Sequence, residues 1–444
     1  MSGKPHVMPN GAPISAVYHR YALIVLMIIS TLNFLDRQIV SILAEPIKED
    51  LQLADWHVGL MSGLAFALFY TTMGIPIARY AETGNRPRII GVAVGLWSLL
   101  TIACGTAQNL VQMILYRMAV GVGEAGCTPT AHSLISDYTP REKRGSAFAL
   151  YSMGTPLGAL LGMAVGGLIA DAYGWRTAFF VAGVPGIVMA VVAFTTLVEP
   201  RRKQAASIAA SRPTGPSFKD AMREIRSKRA FWLFALGGAA KTFIGYGTAA
   251  FLAPFFLRIH GAELTGIAQG FGLGLLGFLG IALGLILGLT GALGTWAGGY
   301  LADRFGARDL RWYPAIPAIA TAIGVPFYIV GLLVDSATLA LAIFVVPSFL
   351  HTLWYGPSFA AVQGLVQPHT RATASAVLLF VINLLGLGLG PLAVGIVSDI
   401  FSVSLGMGAA EGVRWSLVVF VSLGFVATFV FWAARKSIRE ETVS

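Results

Sequence analysis

Five charged side chains fall inside stretches that are otherwise apolar: Asp36, Arg37, Arg117, Glu124 and Lys241. A charge at the centre of a bilayer costs roughly 2.5–3.5 kcal/mol even on the milder insertion scales, so such residues default to a functional role. Acids at that depth are the parts of a proton relay. Arginines offer a planar fork suited to phosphate or carboxylate, whereas a lysine acts as a point charge. Arg117, Gly121, Glu124 and Thr128 recur at steps of four and three, which places them on one helical face. Seven residues rise about 10.5 Å, so Arg117 and Glu124 share a stripe without pairing to each other. Their partners must come from another segment, and Asp36 and Arg37 are available. Asn33, a turn before Arg37, extends the same polar patch, while Lys241 has no acid within its own segment. His132 and His351 are weaker candidates, because hydrogen bonds alone satisfy a buried neutral imidazole.

Other chemistries find no support. Gly121-Val-Gly123-Glu-Ala-Gly126 and Gly272-Leu-Gly274-Leu-Leu-Gly277 match a dinucleotide fingerprint in spelling, but neither follows a strand in a βαβ unit. Small residues at such spacing let membrane helices pack closely. Cys104 and Cys127 offer neither a disulfide framework nor metal-ligand spacing. No Gly-x-x-x-x-Gly-Lys-[Ser/Thr] loop serves ATP. No Ser/His/Asp, Cys/His or His/Glu set points to an enzyme, so none is expected, an intramembrane lipid-modifying enzyme included.

The elements that must position these charges follow from composition. Of 444 residues, 56% are hydrophobic and 12% charged, and mean hydropathy is +0.73. So few charges cannot cover a soluble surface or keep a chain disordered. Apolar runs of membrane-spanning length lie near 20–44, 57–80, 88–107, 110–136, 145–171, 176–198, 230–258, 272–302, 312–334, 337–366, 372–399 and 413–435. Of 31 Lys and Arg residues, four (Lys48, Arg176, Arg258 and Arg414) fall in one set of alternating connections and three at depth; the remaining 24 fall in the other set and the tails. The positive-inside rule then puts both termini in the cytoplasm. The net charge of +10 is therefore a topology signal, and no nucleic-acid partner is expected. Residues 1–19 lack a signal-peptide core, so the first span is expected to stay in the mature chain.

The chain repeats at half its length. Gly74-Ile-Pro-Ile-Ala-Arg-Tyr-Ala-Glu-Thr-Gly-Asn-Arg86 follows the second span, and Gly299-Tyr-Leu-Ala-Asp-Arg-Phe-Gly-Ala-Arg308 the eighth; Glu82 and Asp303 are 221 residues apart. Pro140-Arg-Glu-Lys-Arg144 and Pro368-His-Thr-Arg371 stand at matching places. The reading is an all-α integral membrane protein of twelve transmembrane helices in two pseudo-symmetric six-helix bundles. Its parts are a tail at 1–19, a bundle at 20–198, a basic linker at 199–229, a second bundle at 230–435 and a tail at 436–444. Parallel repeats of this kind mark secondary transporters with a site between the halves.

The stretch from Gly299 to Arg308 resembles the signature loop of the major facilitator superfamily; the first copy departs from it at Glu82, Thr83 and Asn85. Leu32-Asn-Phe-Leu-Asp-Arg-Gln38, Arg117-Met-Ala-Val-Gly-Val-Gly-Glu-Ala125 and Asp171-Ala-Tyr-Gly-Trp-Arg176 narrow the likeness to the Spinster-like branch, whose better-known members move sphingolipids and lysophospholipids. The resemblance implies an intracellular gate. Asp303, with Arg304 beside it, would approach Arg144, and Glu82 would approach Arg371. It also implies alternating access for an amphipathic anion of lysolipid or sphingolipid-phosphate type, with a multidrug or organic-anion transporter as the alternative. Protons are the expected coupling ion, on Asp36 and Glu124, and no other cofactor is implied. Arg37, Arg117, Lys241 and Asn33 are expected to converge on the substrate, with Phe66, Phe69, Tyr70, Trp354 and Tyr355 walling its tail. The expected setting is the plasma or inner membrane, as a multi-pass monomer whose partners are the bilayer and a small lipid.

Overall fold

Lipid offers backbone N–H and C=O groups no partner, so a spanning chain must satisfy them within its own helices. The computed structural model follows that constraint. It describes residues 6–7, 13–140, 143–200, 218–306, 308–367 and 370–443. Most of the expected 1–19 tail and 199–229 linker, and the side chain of Glu82, lie outside the described residues. Among those described, the one strand pairing is a two-residue antiparallel match of His6–Val7 with Pro13–Ile14.

Among the described residues, ten helical runs are long and apolar enough to cross a membrane. One of them, Arg144–Thr196, contains two long helices joined at Gly174, whose φ of 81° is a conformation that glycine adopts without steric cost. The Leu110–Ala125 and Cys127–Tyr138 helices, meeting at Gly126, stand outside the ten and carry Arg117 and Glu124. The Arg229–Gly270 helix runs twelve residues past the apolar stretch that ends at 258. Composition stops that stretch early because Arg258 is charged, but the ion pairs described below let the helix continue through it.

The halves meet along two seams related by the repeat. In one, the Gly154–Thr196 helix packs against Leu275–Gly284 and the π-helical turn Leu285–Thr290. A Cβ on Gly284 would stand 2.9 Å from the Leu160 carbonyl oxygen, and one on Gly288 2.7 Å from that of Pro156. In the other seam a Cβ on Gly63 would meet the Gly388 carbonyl oxygen at 2.8 Å. Lipid tails are as apolar as the helices, so close backbone contact of this kind, rather than water exclusion, holds the seams.

Each seam ends in a carboxylate from one half that caps a helix of the other. Asp399 accepts hydrogen bonds from the backbone N–H groups of Asp55 (3.1 Å) and Trp56 (2.8 Å), where the Asp55–Gly59 helix begins. Asp171 accepts from those of Leu276 (3.1 Å) and Gly277 (2.6 Å), where Leu275–Gly284 begins. Both therefore satisfy first-turn donors and complement the helix dipole from across the seam. Beside the first cap, Arg258 grips Glu45 and Asp55, with its Nη2 2.7 Å and 2.8 Å from their carboxylates. Lys48 adds a contact of 2.6 Å to Asp55, and the Ser398 hydroxyl donates to Asp55 at 2.6 Å. The end of the molecule remote from the helical termini is thus tied across both seams.

Weakening these ties should shift the conformational balance. A lost cap costs about 1 kcal/mol, a roughly fivefold change in a two-state ratio. Asp171→Asn/Asp399→Asn, with spin labels at Gln52 and Ala409, should gain a longer-distance population; an unchanged distance distribution would show that the caps do not hold this end closed.

Candidate transport site

The first helix, Ala16–Ile42, presents Asn33, Asp36 and Arg37 toward the Leu110–Ala125 helix. Arg37 Nε donates to Glu124 Oε2 at 2.8 Å, joining the two helices by an ion pair. Glu124 is fully buried, whereas the Arg37 side chain retains 12% exposure, so Arg37 is the member of the pair within reach of a ligand. Its guanidinium carbon lies 4.5 Å from the Tyr70 ring centroid, 4.8 Å from that of Phe66 and 5.2 Å from that of Phe34. Ring faces at such distances stabilise a cation and fix its orientation. Tyr246, from the other half, also lies beside Arg37, which places the guanidinium at the junction of the halves.

The other members of the polar patch are held separately. The Thr101 hydroxyl donates to Asp36 at 2.9 Å, and no cation stands within ion-pair distance of Asp36 among the described residues. Arg117 Nε points at the Met61 carbonyl oxygen at 3.5 Å, and its guanidinium carbon lies 5.2 Å from the Phe66 ring centroid. Met61 belongs to the π-helical turn Leu60–Leu64, and such turns disturb the regular i→i−4 ladder, here offering a carbonyl to a side chain. Asn33 is buried beside Glu124. Four charges and one amide therefore share one buried compartment of the N-terminal half.

Lys241 is not part of it. Its side chain lines a cavity inside the C-terminal half with Thr321, Tyr328, Pro347 and His351, so the expected convergence of three cations is corrected to two. The reason is rotation about one helix: Tyr246 occupies the face that meets Arg37, and Lys241, five residues earlier, points inward. The aromatic wall also changes role. Phe66 is buried against the arginines and Trp354 is buried in the C-terminal core, so neither faces a tail; Phe69, Tyr70 and Tyr355 are half-buried. His132 packs edge-on to Phe148 and Tyr151.

At the end that carries the helical termini, the gate residues stay within their own halves. Arg144 donates to the carbonyls of Thr139 and Ser136, Arg371 to that of Gln363, and Arg304 to the Tyr300 hydroxyl. Asp303 is exposed and forms no ion pair with Arg144 among the described residues, so the expected approach is absent from this conformation. Glu82 falls outside the described side chains. Three ion pairs that the sequence did not signal lie at this end, each within one half. Buried Arg86 pairs with Glu199 and, at 2.8 Å, with Asp137. Arg439 reaches Asp309 at 2.7 Å, where the Arg311 N–H and then Arg439 hold the Asp309 carboxyl below the usual carboxylate range.

Residues 26–391 match the family model of the Major Facilitator Superfamily. The chain belongs to that superfamily, and it is a multi-pass membrane transporter. An MFS-type efflux pump of Mycolicibacterium smegmatis is 32% identical over 94% of this chain and 93% of its own length. A probable sphingolipid transporter of Arabidopsis thaliana, spinster homolog 1, is 25% identical over 77% of this chain and 71% of its own. The crystal structure of a bacterial homolog of the human lysosomal transporter Spinster, inward-facing and unoccupied, superposes with a TM-score of 0.84 at 32% identity, covering 97% of this chain and all of that one. Within the superfamily the chain is of the Spinster-like type.

Removing one member of a buried ion pair costs about 3–5 kcal/mol because the other charge is left alone. Arg37→Gln should therefore lower the melting temperature of the purified protein more than Arg37→Gln/Glu124→Gln does. Equal or additive losses in the double-mutant cycle would show that the pair carries no coupling energy.

Proposed function

We propose that this transporter couples the movement of an amphipathic anion, of lysolipid or sphingolipid-phosphate type, to protons by alternating access. The observation that carries the reading is Arg37: a guanidinium at the junction of the halves, already holding one carboxylate. An anionic head group that takes Arg37 leaves Glu124 buried without its partner, and uptake of a proton relieves that cost. By linkage, protonation of Glu124 favours the anion equally, so co-binding and symport follow. Asp36, one residue before Arg37 and held by Thr101, is the second proton site. Arg117, packed against the same Phe66 ring, steps in when Glu124 is neutral. The sphingolipid-transporter relative supports a lipid head group.

Twelve crossings complete the reading: the ten apolar runs, the second helix gained at Gly174, and the Leu110–Tyr138 pair. Both termini face the cytoplasm. The protein works as a monomer in the plasma or inner membrane, with the bilayer and one small lipid as its partners. A second reading, export of drugs or organic anions, is favoured by the likeness to an MFS-type efflux pump.

Transport by the purified protein in liposomes separates them. With an imposed pH gradient, uptake of a lysophosphatidate should exceed that of lysophosphatidylcholine and of benzoate. Asp36→Asn and Glu124→Gln should each lower the gradient-driven component about tenfold or more, as expected when a group worth at least 1.4 kcal/mol is removed. Lysophosphatidate uptake with unchanged pH dependence in both variants removes the coupling assignment; faster benzoate uptake selects the second reading.

A further inference from the structure

Lys241 is 4% exposed in the middle of a membrane-spanning helix, and among the described residues it has neither a hydrogen-bond acceptor nor an ion-pair partner. It lines a cavity of about 20 Å3 between the helices Arg229–Gly270, Trp312–Leu333, Ala337–Thr352, Gly408–Ser422 and the start of Gly424–Glu441. The titratable groups that line it are Lys241, His351 and Tyr328, and no acid does. Thr321 lines it too, but its hydroxyl hydrogen is already donated to the Pro317 carbonyl at 2.7 Å. The wall is otherwise apolar, with Ile244, Val325 and Pro347 among its members. A buried ammonium in such a setting requires either a counter-charge or loss of its proton, because burying an isolated charge is costly.

We propose that this cavity holds one small inorganic anion of chloride size, between Lys241 and His351. Size decides the class. A water-sized sphere needs about 10–15 Å3, so the cavity takes one small ion. Charge decides the sign. A water would accept one N–H of the ammonium but leave its charge uncompensated, whereas an anion accepts from Lys241 and from an imidazole N–H while neutralising the site. The site is separate from the arginine cluster, which belongs to the other half. It also spans a joint: the Ala337–Thr352 helix ends one residue past His351 and a new helix begins at Tyr355, so a bound ion ties that joint to Lys241 on the Arg229–Gly270 helix.

The test uses the full-length protein in detergent, melted in sodium chloride and in sodium gluconate at equal ionic strength. Chloride should raise the melting temperature saturably in the wild type. Lys241→Met, which keeps an unbranched apolar stem without the charge, should weaken the apparent chloride affinity at least tenfold, while Arg37→Gln should retain the chloride-dependent rise. Crystals of the wild type grown in bromide supply a readout that needs no variant: one anomalous peak within hydrogen-bond distance of Lys241 Nζ supports the site. No chloride-dependent rise in the wild type, an undiminished rise in Lys241→Met, or bromide crystals without a peak at Lys241 would each overturn the proposal.

Discussion

The rest of the N-terminal half is arranged around the ion pair between Arg37 and Glu124. Glu124 is fully buried, and a carboxylate in that position cannot be left uncompensated at small cost. The requirement propagates outward. Phe34, Phe66 and Tyr70 surround the guanidinium and hold it at the depth where Glu124 needs it. Phe66 also lies under Arg117, so the second arginine is positioned by the same ring that positions the first. Arg117 in turn takes a main-chain carbonyl rather than an acid, so among the described residues Arg37 is the ion-pair partner of Glu124. The ion pair that organises this cluster lies at the junction of the halves.

The ties between the halves are of a different kind from that core. Asp171 and Asp399 cap helices across the two seams, and each cap replaces hydrogen bonds that water would supply once the seam parted. Breaking them therefore costs little in comparison with breaking the Arg37 pair in lipid. Arg258 adds a stronger contact on one seam only, through Glu45 and Asp55. The proposed alternating access would use this gradation, with an interior that survives the motion and an end that separates where solvent can replace what is lost.

Much of this was legible in the sequence and some could not be. The helical class and the repeat were, because apolar runs of spanning length and the spacing of Glu82 and Asp303 are linear properties. Helical phase ruled out a partner for Glu124 on its own stripe and left Asp36 and Arg37 as the available residues, of which the structure pairs Arg37 with it. Lys241 was misplaced because phase within one helix does not say which face meets the other half; Tyr246, on that face, was the missed residue. Thr101 could have been found as a polar residue in an apolar span, a turn after Ser98. The acceptor for Arg117 had no side-chain signal at all, since it is the Met61 carbonyl presented by a π-helical turn. The trans caps were hidden for a related reason: Asp171 and Asp399 look like ordinary loop acids until the start of another helix is placed beside them.

The two halves repeat in backbone but not in charge, and that asymmetry bears on how much charge can cross with the substrate. The N-terminal compartment holds two acids and two arginines, so with every group ionised it carries no net charge; the C-terminal cavity holds a lone lysine beside a histidine. On the proposed transport reading, a singly charged head group that displaces Glu124 from Arg37 brings one negative charge, and one proton on Glu124 returns the compartment to neutrality. A doubly charged phosphate needs a second proton, and Asp36 is the acid next to the exchange. Moving an uncompensated charge through a medium of low polarity is the costly step, so the number of protons taken up should follow the charge of the head group. The presence of two acids where one would neutralise a carboxylate is then a reason to look for a phosphate.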